Sequence, residues 1–185
     1  DESESRGLGD VYKRQIHRII NYDAVNDPIE SRIQTIVDKV PFYFYFDHLS
    51  ETKHVMGSYN KKEINFIQNE MRTNDVFIDI GANIGFYTQN IASTYDKNKF
   101  SKIISIEPNP LLCQRIKDNL SLLAKKIPEI KDKVVIENYA IGNESNDTYL
   151  SLARGYGNAS ITHESKPTSI KVQMTPLINL IKKNN

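Results

Sequence analysis

Cysteine is nearly missing from this 185-residue chain. Cys113 stands alone, which excludes an internal disulfide framework and a cysteine metal cluster. It falls on the apolar side of a helix pattern and reads as a small core residue. The four histidines, at 17, 48, 54 and 163, show no metal-ligand spacing, so no zinc or iron site is expected. No apolar run approaches the roughly 18 residues that span a bilayer. Net charge is +1 without a basic or acidic block, so nothing points to nucleic acid or an anionic membrane. Lys61-Lys62 and Lys125-Lys126 read as solvated helix faces rather than phosphate clamps. No repeat and no low-complexity linker is present. What is left is enough chain for one domain with a sizeable core, and the default location is the cytoplasm.

Residues 10 to 15, Asp-Val-Tyr-Lys-Arg-Gln, match the in-frame translation of a transposon end used to fragment DNA for sequencing libraries. The preceding residues have no apolar periodicity. Residues 1–15 are therefore set aside as a disordered adapter translation, 16–58 are taken as an N-terminal extension, and 59–185 as a partial catalytic domain. Ile16, Ile19 and Ile20, then Ile29, Ile33 and Val37 after Asp27-Pro28, predict one or two peripheral helices. Phe42, Phe44 and Phe46 alternate with Tyr43 and Tyr45 and predict a half-buried strand. Such a stripe could stack bases or sugars, but a single alternating strand is far more often core. Asn60 with Glu63 predicts a capping box for a helix lined by Ile64, Ile67 and Met71, and Thr73-Asn74-Asp75 a turn.

The most informative stretch is 75–89. The apolar strand Val76 to Ile80 runs into a turn bearing Gly81, Asn83 and Gly85, followed by a helix to about Ser93. Such a unit presents backbone N–H groups and a helix N-terminus to a cofactor. Gly81 and Gly85 supply unusual φ, close approach or tight helix–strand packing. Asp79 lies two residues before the first glycine. A buried anion there would repel a pyrophosphate, whereas S-adenosylmethionine brings a sulfonium and an ammonium. The alternative is that Asp79 merely caps the following turn. A second strand, Lys102 to Ile106, ends at Glu107, 22 positions after Gly85. A carboxylate at that place accepts hydrogen bonds from ribose hydroxyls, in nicotinamide and S-adenosylmethionine sites alike. It could equally be a surface acid.

Asn109 then caps a helix with Pro110 at its first position, whose buried stripe is Leu112, Ile116, Leu120 and Leu123. A third strand is expected over Val134 to Ile141, and its end, Asn138 to Ile141, is placed beside the adenine, with Asn138 and Ala140 as cofactor contacts or as plain core. Thr148 to Leu152 and Ser169 to Met174 predict further strands around a glycine-containing loop, Ala153 to Thr168. Thr175-Pro176 opens a last helix. The succession predicts an α/β fold with a doubly wound, mostly parallel sheet and a small N-terminal helical and strand extension. Arg154, Tyr156 and His163, in the late loop, are given no role.

The run Asp79-Ile-Gly-Ala-Asn-Ile-Gly85, with Ile106-Glu-Pro-Asn-Pro110, Asn119 and Asn138-Tyr-Ala-Ile-Gly142, resembles the FkbM-type family of S-adenosylmethionine-dependent methyltransferases. Gly57-Ser-Tyr and Glu63 are similar to that family's lead-in helix, and the likeness spans roughly 56–180. It implies a Rossmann-like class I methyltransferase fold, with Asp79, Gly81, Asn83 and Gly85 around the methionine part of S-adenosylmethionine and Glu107 on the ribose. It implies methylation of an oxygen on a sugar, polysaccharide or secondary metabolite, with a small-molecule or carbohydrate acceptor as partner. The family continues, after a helix like 175–183, with a strand bearing Lys-x-Asp-x-Glu-Gly, and no such motif is present. The resemblance thus implies a sheet incomplete at the C-terminus, an inactive fragment of an active parent, and a general base in the missing part. Two other readings stay open. A nicotinamide-dependent oxidoreductase would carry an apolar residue at 79 and glycine at 83. A non-catalytic cofactor-binding module would keep the fold without the chemistry.

Overall fold

The structure, a computed structural model, describes residues 32–45, 60–152 and 159–184. The adapter-like segment, the N-terminal helix pattern as far as residue 31, Phe46, Gly57-Ser58-Tyr59, three of the histidines (17, 48 and 54), Arg154 and Tyr156 lie outside the described residues.

The first described element overturns an expectation. Arg32–Val37 is a strand, β1, and not a helix. It pairs antiparallel with β2, Val40–Tyr45, through the flanking pair Val37 and Val40. Ile29, Ile33 and Val37 are four residues apart, and that spacing keeps one face in a strand as well as in a helix. The β-branched run Ile33, Thr35, Ile36, Val37 favours the strand. Asp38 and Lys39 both take positive φ, 47° and 75°, as a two-residue hairpin turn of the I′ class requires. The stripe in β2 is as expected: Phe42 and Phe44 are buried and Tyr43 and Tyr45 half-buried. The phenylalanines are core, packed with Ile64, Ile84, Phe86 and Leu112.

Helix α1, Lys61–Glu70, buries Ile64 and leans Ile67 and Met71 on the core. Its capping box does not form. Asn60 adopts a left-handed φ of 50° and its side chain turns to the Tyr87 hydroxyl. Strands β3 (Val76–Ile80), β4 (Lys102–Ile106) and β5 (Val134–Glu137) make a wholly parallel sheet in the order β3-β4-β5. The crossovers carry α2 (Phe86–Ala92), α3 (Tyr95–Asn98), α4 (Pro110–Leu123) and a 3₁₀ turn (Pro128–Asp132). Asn109 caps α4 by accepting from Leu111 N, with Pro110 at the first position.

Alternation along β3 and β4 divides two layers. Phe77 and Ile103 pack with Ile91, Ala92 and Leu123 of α2 and α4. Ile78, Ile104 and Ile106 pack with Leu177 and Leu180 of α5, Leu177–Lys183. Apolar side chains on both faces of a parallel strand are what burial from both sides demands.

The strand expected over 134–141 is broken. After Glu137 the chain leaves the parallel sheet, Asn138 donates to the carbonyls of Glu107 and Pro108, and β6 (Ala140–Ile141) pairs instead with β9 (Ser169–Thr175). A second sheet of order β6-β9-β7-β8 follows, with β7 (Asn146–Ser151) antiparallel to both β9 and β8 (Ser160–Thr162). Strand β8 sits where only loop is expected. The described strands therefore form three sheets rather than one mostly parallel sheet, and the parallel one has three strands.

Candidate functional site

Strands β3 and β4 end side by side, with Ile80 opposite Ile106, so Asp79 and Glu107 arrive at one edge of the sheet. Both are buried, at 8% and 6% exposure. Between them runs the turn 81–85, in which Gly81, Asn83 and Gly85 have φ of 76°, 54° and 78°. Left-handed backbone is open to glycine and tolerable for asparagine. The two glycines have different surroundings. A Cβ on Gly81 would meet nothing within 4 Å, whereas one on Gly85 would lie 3.1 Å from Ile116 of α4. Gly81 therefore borders open space, and Gly85 lets the turn press on the helix.

Four of the five N–H groups of the turn, all but that of Ile84, are spoken for. Those of Gly81 and Ala82 donate to Ile106 O, that of Asn83 to Glu107 Oε2 at 2.8 Å, and that of Gly85 to Ala82 O. A phosphate cradle needs several such groups free and aimed at the ligand. This turn instead faces its amides inward and leaves carboxylates at the rim.

Asp79 does cap the following helix. Gly85, at the N-cap, has no side chain to offer, and Asp79 Oδ2 accepts from Thr88 N at 3.0 Å and from Thr88 Oγ1 at 2.7 Å. An anion at a helix N-terminus stabilises by about 0.3–1 kcal/mol when exposed and up to ~2 when partly buried. Among the described residues the other oxygen, Oδ1, accepts no hydrogen bond, and it is not sealed from the surface. One oxygen thus serves the fold while the other is left open. Ser105 Oγ lies 2.9 Å from Thr88 Oγ1 and extends this buried polar chain to β4.

Glu107 is held at both oxygens, Oε2 by Asn83 N and Oε1 by Asn109 N at 2.9 Å. Each carboxylate oxygen has a second lone pair, so donors such as ribose hydroxyls can be added without displacing these amides. Burial pushes both carboxyls above the ordinary carboxylate range. The Thr88 bonds oppose that rise at Asp79, and the backbone N–H groups of Asn109 and Asn83 oppose it at Glu107, where the charge of Asp79 adds a smaller upward push. Two desolvated anions with no cation beside them among the described residues favour a positively charged occupant.

Asn138 belongs to this cluster as a brace, its amide fastened to the carbonyls of Glu107 and Pro108. Ala140 is placed elsewhere, buried with Leu150 and Val172 in the second sheet. Cys113 is buried beside the Glu107 carbonyl, and its thiol is pushed up to about 11, chiefly by burial. His163 is exposed. Among the described residues no cluster of histidine, cysteine or carboxylate side chains could hold a metal, and no helix is long and apolar enough to cross a membrane.

Sequence reading passed over Thr88, Ser105 and Gln89, all fully buried polar residues. Ser105 carried a signal: a lone hydroxyl inside Ile103-Ile104-Ser105-Ile106, a strand covered on both faces, needs a buried partner. Gln89 carried none, because its partners, Pro41 O and Asn119 O, are distant in sequence.

The profile of the methyltransferase FkbM domain matches residues 79–185, more than half of the chain. No curated protein matches the sequence. Among solved structures, aTrm5 in complex with tRNALeu is 17% identical with a TM-score of 0.42, over 57% of this chain and 27% of that one. The methyltransferase FkbM from Methylobacillus flagellatus KT is 12% identical with a TM-score of 0.39, over 58% and 22%. TYW2 of M. jannaschii in complex with AdoMet is 14% identical with a TM-score of 0.41, over 78% and 84%. The chain spans about a quarter of the length of the first two. At these identities and TM-scores the likenesses bear on neither substrate nor partner. The domain match alone covers the glycine turn, both strand-end carboxylates and everything that follows them, and by it the chain belongs to the FkbM family of S-adenosylmethionine-dependent methyltransferases.

Proposed function

We propose that this chain carries the cofactor site of an S-adenosylmethionine-dependent O-methyltransferase that acts on a hydroxyl of a sugar, polysaccharide or small secondary metabolite. The observation that supports it best is the pairing of two buried carboxylates, Asp79 and Glu107, around a turn in which four of the five N–H groups are already bonded. Such a rim suits a cation and hydroxyl donors, and it is poor for a pyrophosphate. The same observation disfavours a nicotinamide cofactor, as do Asp79 itself and the asparagine at 83.

The residues present fit S-adenosylmethionine. Asp79 Oδ1 is free for an ammonium, space is open over Gly81, and Glu107 retains lone pairs for ribose hydroxyls. When bound, S-adenosylmethionine supplies a methyl group already activated by a positive sulfur. Asp79 would neutralise and orient the amino acid end, Glu107 would fix the ribose, and Gly81, Asn83 and Gly85 would shape the wall between them. Asn138 would hold the β5 end near the adenine by bracing residues 107–108, and Ala140 would support it from the second sheet. In this reading the helices on both faces of β3-β4-β5 are part of a doubly wound, Rossmann-like arrangement, with residues 59–185 as its domain and the hairpin as an N-terminal addition. No described residue is assigned the general base. The acceptor is taken to be small or carbohydrate because the chain is nearly neutral and has no basic block.

The test is calorimetric binding of S-adenosylhomocysteine and of NAD to the whole chain, to Asp79→Asn and to Glu107→Gln. Asparagine can still accept from Thr88, so Asp79→Asn should stay folded while losing affinity for the thioether at least tenfold. Binding of NAD without the thioether would sink the proposal. Binding of neither would favour a module that has lost its cofactor. A later transfer assay that labelled tRNA instead of a glycan would replace the acceptor class and leave the site intact.

A further inference from the structure

The hairpin β1–β2 lies outside the residues matched by the family, yet it reaches the 81–85 turn, by apolar packing on Ile84 and through one polar side chain. Asn119, on α4 and 1% exposed, accepts from Tyr43 N of β2 at 2.7 Å through Oδ1. Its Nδ2 donates to Ile84 O of the turn at 3.0 Å. Gln89 of α2 ties the hairpin to the same helix, donating to Pro41 O at 2.9 Å and to the backbone carbonyl of Asn119 at 2.7 Å. Phe42 stacks on Phe86, the first residue of α2, with ring centroids 5.3 Å apart.

The Ile84 carbonyl is available for a structural reason. The helix begins after Gly85, so Ile84 O lies outside its ladder and Thr88 N, in the first turn, has no partner within it. Asp79 takes Thr88 N, and Asn119 supplies the donor for Ile84 O. The carboxylate and the amide of Asn119 thus satisfy the two open groups on either side of the helix start. With both amide functions bonded, Asn119 can neither rotate nor be replaced by an apolar residue without breaking a bond on each side, the one to Ile84 O fully buried.

Resting on the cofactor reading above, we propose that Asn119 is a positioning residue, through which the 32–45 hairpin holds the 81–85 turn and Asp79 in their ligand-binding shape. The hairpin is therefore a working part of the site and not a separable extension. By linkage, whatever the hairpin does for the ligand the ligand must do for the hairpin.

The experiment compares wild type, Asn119→Ala and Leu123→Ala. Leu123 lies on the same helix, buried in the other core cluster, so its truncation lowers stability without touching the turn. Well below every melting midpoint, Asn119→Ala should bind S-adenosylhomocysteine at least tenfold more weakly than wild type, and Leu123→Ala within about twofold. Equal weakening in both variants, or none in Asn119→Ala, overturns the proposal. Should Asn119→Ala not fold, wild type alone decides: saturating S-adenosylhomocysteine should slow hydrogen exchange at Tyr43 N several-fold. Slowing confined to residues 81–88 overturns the link to the hairpin. Wild type that binds no thioether at all overturns the cofactor reading and this proposal together, whereas binding with an unaffected Asn119→Ala overturns this proposal alone.

Discussion

Gly81 and Gly85 share one turn and nearly the same φ, and their replacement by alanine should fail in two different ways. Left-handed backbone costs an L residue about 1–2 kcal/mol, and alanine returns about 0.4–1 kcal/mol by restricting the unfolded chain. Gly81→Ala adds nothing more, because its Cβ meets no atom within 4 Å. Its net loss should be on the order of 1 kcal/mol, a shift of about 2–4 °C for a chain of this size. Gly85→Ala also drives its Cβ to 3.1 Å from two carbons of Ile116, a fully buried side chain with little freedom to retreat. Overpacking of that kind costs about 1–3 kcal/mol more. Its net loss should be on the order of 3 kcal/mol, and its midpoint should fall by about 6–12 °C. Binding should rank the other way. The new methyl at 81 enters the space assigned to the ligand, so affinity for S-adenosylhomocysteine should fall at least tenfold, while the residual folded Gly85→Ala loses less. Thermal melts and calorimetry on the same samples give both numbers. Equal melting losses, or Gly81→Ala binding as wild type does, would refute the assignment of open space over Gly81 to the cofactor.

Three further outcomes are expected. Burial raises Asp79 and Glu107 above their unfolded values, so these groups favour the fold at low pH and lose that contribution as pH rises through their folded values. A bound cation pulls both back down, so S-adenosylmethionine binding should release protons at acid pH, above the ordinary carboxylate range. Calorimetry in two buffers of different ionisation heat measures this, and proton uptake would contradict it. The Cys113 thiol, pushed up to about 11 and buried, should resist a disulfide reagent at pH 8 in the native chain and react at once in denaturant. Val76 is 48% exposed on β3, an edge strand among the described sheets, so Val76→Lys should reduce light scattering with a stability change within about 0.5 kcal/mol.

What could be read in advance follows from the range of the interactions. Val76–Ile80, Lys102–Ile106 and the cap at Asn109-Pro110 were legible because their signals are local: apolar runs bounded by turn residues, and a side chain reaching two residues ahead. The strand at 32–37 was not, since a four-residue spacing satisfies both periods and the deciding partner, β2, lies across a turn built from Asp38 and Lys39 rather than Asn-Gly. The break after Glu137 was hidden for a similar reason. Tyr139, Ala140 and Ile141 continue a strand composition, and long-range contacts turn the chain away, the bonds from Asn138 to residues 107 and 108 and the pairing of 140–141 with β9.

The two readings of Asp79, helix cap or cofactor acid, turn out not to compete. A cap needs one oxygen fixed by the N–H and hydroxyl of Thr88, and a ligand needs the other oxygen free and the carboxylate held still. Doing the first prepares the second, because a side chain already immobilised by its own fold loses little further entropy when it binds. The same holds at Glu107, whose two backbone donors fix its plane before any hydroxyl arrives. It follows that substitutions at these acids should separate by what they keep. Asp79→Asn retains an acceptor for Thr88 and should melt close to wild type. Asp79→Ala removes the cap and should lose about 1–2 kcal/mol as well as the ligand. If both variants melted alike, the cap would be of no consequence, and the rigidity attributed to Asp79 would have to come from somewhere else in the turn.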